Sequence, residues 1–285
     1  MKKNQISVTA QGIAFARAYE STKPEGERIC FDPLAKRLIS PAFYRLCRLF
    51  IGYSEKTGPG MIGFLVARCR YIDDVLQACL AGGTQQLVIL GAGLDSRAYR
   101  FDPLKGPVKT FEVDSPATQS AKLARLQSIF GEVPGYVTYV PVDFNEETLE
   151  KLLDCGYDQR LKTLFIWEGV VHYLTAQTVD RTLEFILKYS GAGSSIVFDY
   201  MYASALTAAK KRGEILRMRR AQRFTGEGLV FGIQEGKIEE FLEGRLYTLV
   251  QHLTSQDLHQ AYFTGINQGR TVAPVYAIVH ARVRQ

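Results

Sequence analysis

The sequence predicts an α/β fold: a doubly wound, mostly parallel seven-stranded sheet with an N-terminal helical cap. Three observations lead to this prediction. Residues 87–90 form a short, continuous apolar run, which is typical of a strand buried on both faces of a parallel sheet. Five such runs alternate with helical segments through the middle of the 285-residue chain. Two more strand-like runs near the C-terminus pair as a hairpin-like edge that completes the sheet.

Residues 1–80 are predicted to form the helical cap. Asp32 precedes Pro33, and this pair favours a helix start because Asp caps helix N-termini and Pro is tolerated in the first turn. A Gly- and Pro-containing break at residues 56–60 precedes the longest predicted helix. In order, the cap contains a helix over residues 4–20, a helix starting at Asp32-Pro33, an apolar and aromatic segment over 41–53, and a helix over 61–80.

The five predicted parallel strands cover residues 87–90, 108–113, 137–142, 163–167 and 195–198. The helices between them cover residues 116–130, 146–153 and 175–189, the last with Thr175 as its N-cap. Residues 246–253 and 275–283 are the closing strands, with a helix from Ser255 between them. We expect one domain over residues 1–285, made of the cap (1–80), a core (81–200), an insert that interrupts the alternation (201–245) and the closing strands (246–285).

A glycine turn after the first strand is the first candidate binding feature. Gly91 and Gly93 let the backbone turn sharply and let a ligand approach with no side chain between. The next residues predict a short helix whose free N–H groups point back at the turn. Asp114, which follows the second strand, is placed to accept hydrogen bonds from both hydroxyls of a ribose. The alternative is a plain strand-to-helix turn, and Ser96 stands where a dinucleotide fingerprint has its third glycine.

Acidic residues follow the other predicted strands as well. In open α/β sheets ligands bind beyond the carboxyl ends of the strands, which here carry Asp114, Asp143, Glu168 and Asp199. These carboxylates would repel a pyrophosphate and suit a cationic ligand such as S-adenosylmethionine. We expect Asp143 to accept from the adenine amine with Phe144 against the ring, and Glu168 to bind the methionine ammonium. For each acid alone, a helix N-cap is the alternative interpretation.

Composition narrows the class of protein. A hydrophobic content of 46% supports a sizeable core, and no run of eighteen apolar residues predicts a membrane span. The N-terminus lacks the apolar segment of a secretory signal. The five cysteines form no CxxC pair, which indicates free thiols in a reducing compartment, and the four histidines show no metal-ligand spacing. We therefore expect a cytoplasmic protein with no metal and no membrane partner.

Much of the net charge of +6 comes from residues 210–223, where seven cations face one acid. One interpretation is a solvated helix face. The other is a docking surface for an anionic partner such as an acidic carrier protein. Because no zinc finger or RNA-binding motif is present in the sequence, we expect no nucleic-acid partner.

Seven motifs occur in order over most of residues 10–200. They are RAYE at residues 17–20, DPL at 32–34, ARCRYIDD at 67–74, VILGAGLDSRAYRF at 88–101, FEVDSPATQ at 111–119, PVDFN at 141–145 and FIWEGVVHYLT at 165–175. Together they resemble the leucine carboxyl methyltransferase family, particularly its bacterial branch of O-methyltransferases of polyketide biosynthesis. The resemblance implies a class I methyltransferase-like fold and the cofactor S-adenosyl-L-methionine, with residues 81–200 as the cofactor-binding core. Residues 201–245 match the family poorly, and the resemblance implies that this insert shapes the substrate site.

The resemblance also implies roles for individual residues. Arg68 would pair with the cofactor carboxylate, and Gly91 would offer backbone contacts to the methionine part of the cofactor. Without the resemblance, Arg68 indicates a surface salt bridge with Asp73 or Asp74. Family members also use an N-terminal lysine near the cofactor carboxylate, which Lys23 matches only loosely. The remaining implied roles agree with those inferred from the strand ends: ribose binding by Asp114, adenine binding by Asp143 and Phe144, and ammonium binding by Glu168.

Three residues are candidates for the acceptor side of the reaction. His172 follows Glu168 by four residues and is the only histidine considered as a general base, with a structural role as the alternative. Tyr200 and Tyr202 follow the fifth strand and are expected to border the acceptor, as catalytic groups or as pocket walls. A carboxylate acceptor is already ionised and needs no base, whereas a hydroxyl acceptor benefits from one.

The sequence thus predicts an S-adenosylmethionine-dependent O-methyltransferase. Its acceptor would be a carboxyl or hydroxyl group of a small molecule or peptide, which an acidic carrier protein could present. One alternative is a nicotinamide-dependent oxidoreductase that uses the same glycine turn. The other is a non-catalytic adaptor that keeps the fold and binds a partner through residues 210–223.

Overall fold

A computed structural model of the protein describes residues 8–206 and 228–284. Five helices form the N-terminal cap: α1 (Val8–Glu20), α2 (Ala35–Leu38), α3 (Pro41–Leu49), α4 (Ile51–Thr57) and α5 (Met61–Ala81). The elements that follow are β1 (Gln86–Leu90), α6 (Arg97–Arg100), β2 (Lys109–Asp114), α7 (Pro116–Phe130), β3 (Val137–Pro141), α8 (Lys151–Asp154), β4 (Thr163–Trp167), α9 (Ala176–Lys188) and β5 (Ser195–Met201). The C-terminal elements are α10 (Ile238–Glu243), β6 (Tyr247–Thr254), α11 (Ser255–Tyr262) and β7 (Tyr276–Val283). The basic residues 210–223 lie outside the described ranges.

The seven strands form one sheet in the order β3-β2-β1-β4-β5-β7-β6. Strands β1 to β5 are parallel, and β7 runs antiparallel between β5 and β6. Gln86 of β1 pairs with Lys109 of β2 and with Thr163 of β4, so these neighbouring strands end at one edge of the sheet. This topology confirms the predicted doubly wound, mostly parallel sheet and places the ends of β1, β2, β3 and β4 side by side.

Both faces of the sheet are buried, as the apolar run in β1 predicts. Val88 and Leu90 belong to a core that includes α9, whereas Leu87 and Ile89 belong to a second core that includes α5. Alternate side chains of one strand therefore hold the two helical layers together. A third cluster joins α1, α2 and α3 to the residues after β1 and anchors the cap at the carboxyl edge.

Most helix boundaries agree with their sequence signals. Helix α7 has its predicted bounds, and Thr175 caps α9 by accepting a hydrogen bond from the Thr178 backbone N–H at 3.2 Å. Asp32 accepts from the Ala35 N–H at 3.0 Å, although α2 itself begins three residues after Asp32. Within the described ranges, no helix has the length and apolar character needed to cross a bilayer.

Two predicted boundaries were wrong for identifiable reasons. Strand β5 extends to Met201 rather than ending at residue 198, because it keeps pairing with β7 as far as Tyr276. Asp199 and Tyr200 therefore lie inside the strand instead of beyond it. The helix predicted from residue 146 begins only at Lys151, because the Asp143 carbonyl accepts from the next two glutamate N–H groups and closes a turn.

We predict that Gly63→Ala destabilises the fold although alanine favours helices. Gly63 lies in α5 against the backbone that leads to β7, and a Cβ there would stand 2.0 Å from the Thr271 carbonyl oxygen. Overpacking of this kind lowers the free energy of unfolding by about 1–3 kcal/mol. Urea titration of both variants would measure it, with Gly12→Ala as the matched control.

The control distinguishes the effect of the close contact on stability from the effect of the higher helix propensity of alanine. Gly12 lies in α1, and a Cβ there would meet nothing within 4 Å. Gly12→Ala should raise the free energy of unfolding by up to about 1 kcal/mol. Equal stability changes in the two variants would contradict the close approach of α5 to the β7 connection.

Candidate active site

A cleft of about 340 Å³ lies at the carboxyl edge of the sheet, beneath α1. The end of each of the strands β1 to β4 contributes to it. The structure brings together six residues that the sequence assigns to the cofactor: Gly91, Gly93, Asp114, Asp143, Phe144 and Glu168. They come from four separate segments of the chain, and parallel strand ends are what places them side by side.

The glycine turn forms the floor of this cleft at the end of β1. Gly91 has φ +66°, and a Cβ there would stand 2.3 Å from a methyl group of Val170. Gly93 also has a positive φ, and its backbone N–H donates a hydrogen bond to Asp114 Oδ2. Both glycines are therefore required by backbone conformation, and Gly91 also by the lack of space above it.

Asp114 is fixed by backbone donors on both of its oxygens. Oδ2 accepts from the Gly93 N–H, and Oδ1 accepts from the Ser115 N–H at 2.7 Å. Burial raises the pKa of this carboxyl, whereas the two backbone N–H groups act to lower it. A carboxylate has about four lone-pair positions, so capacity to accept from a ligand diol remains.

Asp143 and Phe144 lie at the end of β3, on the far side of Asp114 from the glycine turn. Asp143 Oδ1 accepts from the Asn145 N–H at 3.0 Å, so this acid caps its own turn while lining the cleft. The phenyl ring of Phe144 is partly buried against the core on the α9 side of the sheet. The two alternative interpretations of Asp143, turn cap and ligand contact, are thus compatible in one geometry.

Glu168 is held by two arginines at the end of β4. Arg68 Nε donates to Oε1 at 3.0 Å, and Arg97 Nη1 donates to Oε2 at 2.6 Å. Burial alone would raise the pKa of Glu168, but the charges of Arg97 and Arg68 hold it well below its usual range. The carboxylate therefore stays ionised while its orientation is fixed from behind.

The two arginines belong to a buried ionic network under the cleft. Arg68 also pairs with Asp199 at 2.7 Å, and Asp199 accepts from the Gly169 N–H at 2.6 Å. Arg97 also pairs with Asp73 at 2.7 Å and with Asp95. The surface salt bridge considered for Arg68 with Asp73 or Asp74 was wrong. Arg68 is not among the described residues that line the cleft, and Asp199 is fully buried instead of facing a ligand.

Arg17 is a cleft residue that the sequence reasoning missed. It lies on the same face of α1 as Ile13, one turn away, and both side chains line the cleft. Its Nε pairs with Asp32 at 2.9 Å, and its Nη2 donates to the Leu94 carbonyl at 2.6 Å. Of the described residues that line the cleft, only Arg17 carries a positive charge. The RAYE motif contains the signal, but the motif alone does not show which side of α1 meets the sheet.

The three residues proposed for the acceptor side do not line the cleft in the described part of the chain. The Tyr200 hydroxyl lies 3.0 Å from Nε2 of His252, a residue of β6. Tyr202 packs edge-on against the Tyr200 ring. His172 is buried, and its burial lowers its pKa to about 4. The neighbouring Tyr173 lines the cleft instead, because a 3-10 turn over Val171–Tyr173 directs these two side chains differently.

Comparison with known proteins identifies the family of this chain and structures that share its fold. The sequence profile of the leucine carboxyl methyltransferase family matches residues 10–187. A Bacillus subtilis protein is 30% identical over 99% of both chains, and its name places it among the S-adenosyl-L-methionine-dependent methyltransferases. A Mycolicibacterium smegmatis relative with the same designation is 33% identical over 73% of this chain and 72% of its own. A Thermobifida fusca methyltransferase structure shares the fold, with a TM-score of 0.63, 15% identity, and 99% and 96% of the two chains covered.

We predict that His172 makes the fold less stable as the pH falls from about 6.5 to about 4. Its pKa is lowered from 6.5 to about 4 in the folded chain, so in this window the unfolded chain binds a proton that the folded chain does not. Stability is therefore lost as the pH falls, by up to about 3 kcal/mol. His172→Asn should reduce this slope in urea titrations at a series of pH values.

His280 provides the matched variant, because its pKa is also lowered to about 4 and it lies in β7, outside the cleft lining. His280→Asn should reduce the slope to a similar extent. If His280→Asn reduces the slope and His172→Asn leaves it unchanged, the assignment of a neutral buried imidazole at His172 is wrong.

Proposed function

From the membership of this chain in the leucine carboxyl methyltransferase family, which makes it an S-adenosyl-L-methionine-dependent methyltransferase, we propose that it methylates a carboxyl oxygen. The acceptor would be a small molecule or a peptide, and a hydroxyl oxygen is the second candidate. The observation that carries the proposal is the composition of the cleft. Its described lining contains carboxylates and one guanidinium, with no histidine or lysine placed to remove a proton.

The residues of the cleft suit S-adenosyl-L-methionine group by group. This cofactor has an ammonium, a sulfonium, a ribose diol, an adenine amine and one carboxylate. Asp114, Asp143 and Glu168 provide hydrogen-bond acceptors for the ribose diol, the adenine amine and the ammonium. Arg17 provides the single cation of the described lining, which suits the carboxylate. A Cβ at Gly91 would collide with the Val170 side chain, so this position of the turn accepts glycine alone. A dinucleotide pyrophosphate would instead meet the four carboxylates of the described lining, which disfavours the oxidoreductase alternative.

We assign the cofactor contacts as follows. Asp114 accepts from the ribose hydroxyls, Asp143 accepts from the adenine amine with Phe144 beside the ring, and Glu168 accepts from the ammonium. Arg17, rather than Arg68, binds the carboxylate, because Arg17 lines the cleft, whereas Arg68 lies beneath it with its Nε on Glu168 and its Nη1 on Asp199. Arg17 thereby takes the place for which the family resemblance implies an N-terminal lysine.

Methyl transfer depends mainly on how the protein positions the acceptor oxygen. The sulfonium of the bound cofactor makes its methyl group electrophilic, so the protein needs to align an acceptor oxygen with it and exclude water. A carboxylate acceptor is ionised at neutral pH and needs no general base. Glu168 is unsuited to that task because its pKa is held low, and His172, with a pKa of about 4, is a weak base outside the cleft. Ile13, Val170 and Leu174 provide apolar surface that displaces water from the methyl group.

The first test separates the roles of the two arginines. We predict that Arg17→Met weakens binding of S-adenosylmethionine about tenfold or more but leaves binding of its decarboxylated analogue unchanged, because a charge-assisted hydrogen bond to the carboxylate is lost. Isothermal titration with both ligands measures this. Lys23→Met is the matched control, since Lys23 lies beyond the end of α1 and pairs with Glu20.

A parallel loss of affinity for both ligands in Arg17→Met would mean that Arg17 maintains the cleft without contacting the carboxylate. An equal loss in Lys23→Met would point to a general effect of charge. Either result would favour Arg68 as the residue that binds the cofactor carboxylate.

The second test identifies the methylated atom. We predict that product labelled from methyl-labelled cofactor releases its label as methanol in mild alkali, because methyl esters hydrolyse and methyl ethers do not. The assay uses pools of carboxylic acids, C-terminally free peptides and phenols as acceptors. Alkali-stable label on a phenol would replace the carboxyl proposal with hydroxyl methylation, and label on nitrogen would overturn both.

A further inference from the structure

The segment from α3 to α4, Pro41–Leu49 and Ile51–Thr57, carries apolar side chains on two opposite faces. Its inner face packs onto the cap: Tyr44 is buried, with its ring 5.6 Å from that of Phe15, and Phe43, Cys47 and Ile51 join the same cluster. This inner face is sufficient to hold the segment on the protein. A helix that is apolar on its other face as well is normally covered there too.

The outer face consists of Leu46, Leu49, Phe50 and Tyr53, which we call the outer stripe. Leu46 and Leu49 lie in α3, Phe50 continues its last turn by donating its N–H to the Leu46 carbonyl, and Tyr53 follows in α4, at the spacing i, i+3, i+4 and i+7 of one helix face. Between 55% and 80% of each residue is exposed. Four large apolar residues gathered in one place differ from the scattered exposed residues that every protein surface has, and such a patch marks an interaction site.

The charges beside the outer stripe are positive. Arg45, Arg48 and Lys56 are exposed, and at helical spacing Arg45 and Lys56 follow one flank of the stripe. Glu55 is the only acidic residue in the segment, and its carboxylate accepts from the Gly60 N–H on the side away from the stripe. An apolar ridge edged by cations without an opposing acid complements a surface that is both apolar and anionic.

We propose that the outer stripe and its flanking cations dock this enzyme on the surface of an anionic lipid bilayer. The segment would lie in the plane of the interface, with Leu49 and Phe50 entering the acyl boundary and the cations among the headgroups. This replaces the expectation that the chain has no membrane partner, and it is independent of the methyl acceptor.

Two features favour a bilayer over the other occupants. The stripe protrudes, as the high exposure of its side chains shows, whereas a partner helix is usually received in a groove. A second copy of the chain would meet the same surface across a two-fold axis, and Arg45 and Lys56 of each copy would then approach like charges. A fluid, anionic interface accommodates both the ridge and the cations.

The test is co-sedimentation of the full chain with vesicles of phosphatidylcholine alone and of phosphatidylcholine with phosphatidylglycerol. We expect binding to the anionic vesicles and little binding to the neutral ones. Leu49→Glu should weaken partitioning roughly tenfold or more, because it removes a large apolar group and adds a repelled charge. Leu49 is 80% exposed, so this change leaves the fold intact.

Ile266→Glu is the matched control, because Ile266 is 69% exposed and lies in the 3-10 turn Gly265–Asn267, outside the stripe. It should bind vesicles as the unmodified protein does. A second readout is Tyr53→Trp, whose emission should shift to the blue with anionic vesicles, while Trp167, the only natural tryptophan, is fully buried and gives a constant background.

Three results would overturn the proposal. The first is failure of the unmodified protein to bind anionic vesicles. The second is undiminished binding of Leu49→Glu, which would assign binding to the basic residues 210–223. The third is a dimer in sedimentation velocity that Leu49→Glu converts to a monomer, which would identify the stripe as a contact between copies.

Discussion

The double clamp on Glu168 is the interaction on which the rest of the site depends. Arg68 comes from α5, Arg97 from α6, and Glu168 from the end of β4, so one carboxylate ties three elements together. Arg97 also pairs with Asp73 and Asp95, Asp73 pairs in turn with Arg100, and Arg68 pairs with Asp199. Removing one partner from such a buried set leaves an uncompensated charge and costs about 3–5 kcal/mol. The elements around the cleft are therefore fixed relative to one another by charge as well as by packing.

The same network shapes the cleft from beneath. Asp199 accepts from the Gly169 N–H, and a Cβ on Gly169 would stand 3.4 Å from the Arg68 guanidinium. Gly169 has φ +72°, so the chain turns away from β4 directly over Arg68 and carries Val170 to the glycine turn. Arg68 is thus a support for the cleft wall. Its position explains why a residue that the family resemblance ties to the cofactor can matter to the site without lining it.

Local signals in the sequence were sufficient for the sheet and for six residues that the structure brings together in one cleft. Apolar runs ending in glycine or an acid mark strands and their carboxyl ends, and Thr175 marks a helix start, because each depends on neighbouring residues. Arg17 and Arg97 were missed because their partners lie 77 and 71 residues away, at Leu94 and Glu168. Spacing along the chain also could not show that β7 extends the pairing of β5, which encloses Tyr200 in the sheet.

The acids of the cleft divide into two kinds, and the division has a chemical consequence. Glu168 shares its charge with two arginines, so it presents an oriented hydrogen-bond acceptor with a weak field of its own. Asp114 is held by backbone N–H groups, and Asp143 by the Asn145 N–H, so their negative charges are not cancelled by a paired guanidinium in the described structure. In the proposed cofactor contacts, attraction for a cationic ligand would therefore come mainly from the ends of β2 and β3, while Glu168 and Arg17 would orient the amino-acid end of that ligand. Under this proposal affinity and orientation would depend on different residues, which is an arrangement suited to a transfer reaction that depends on alignment.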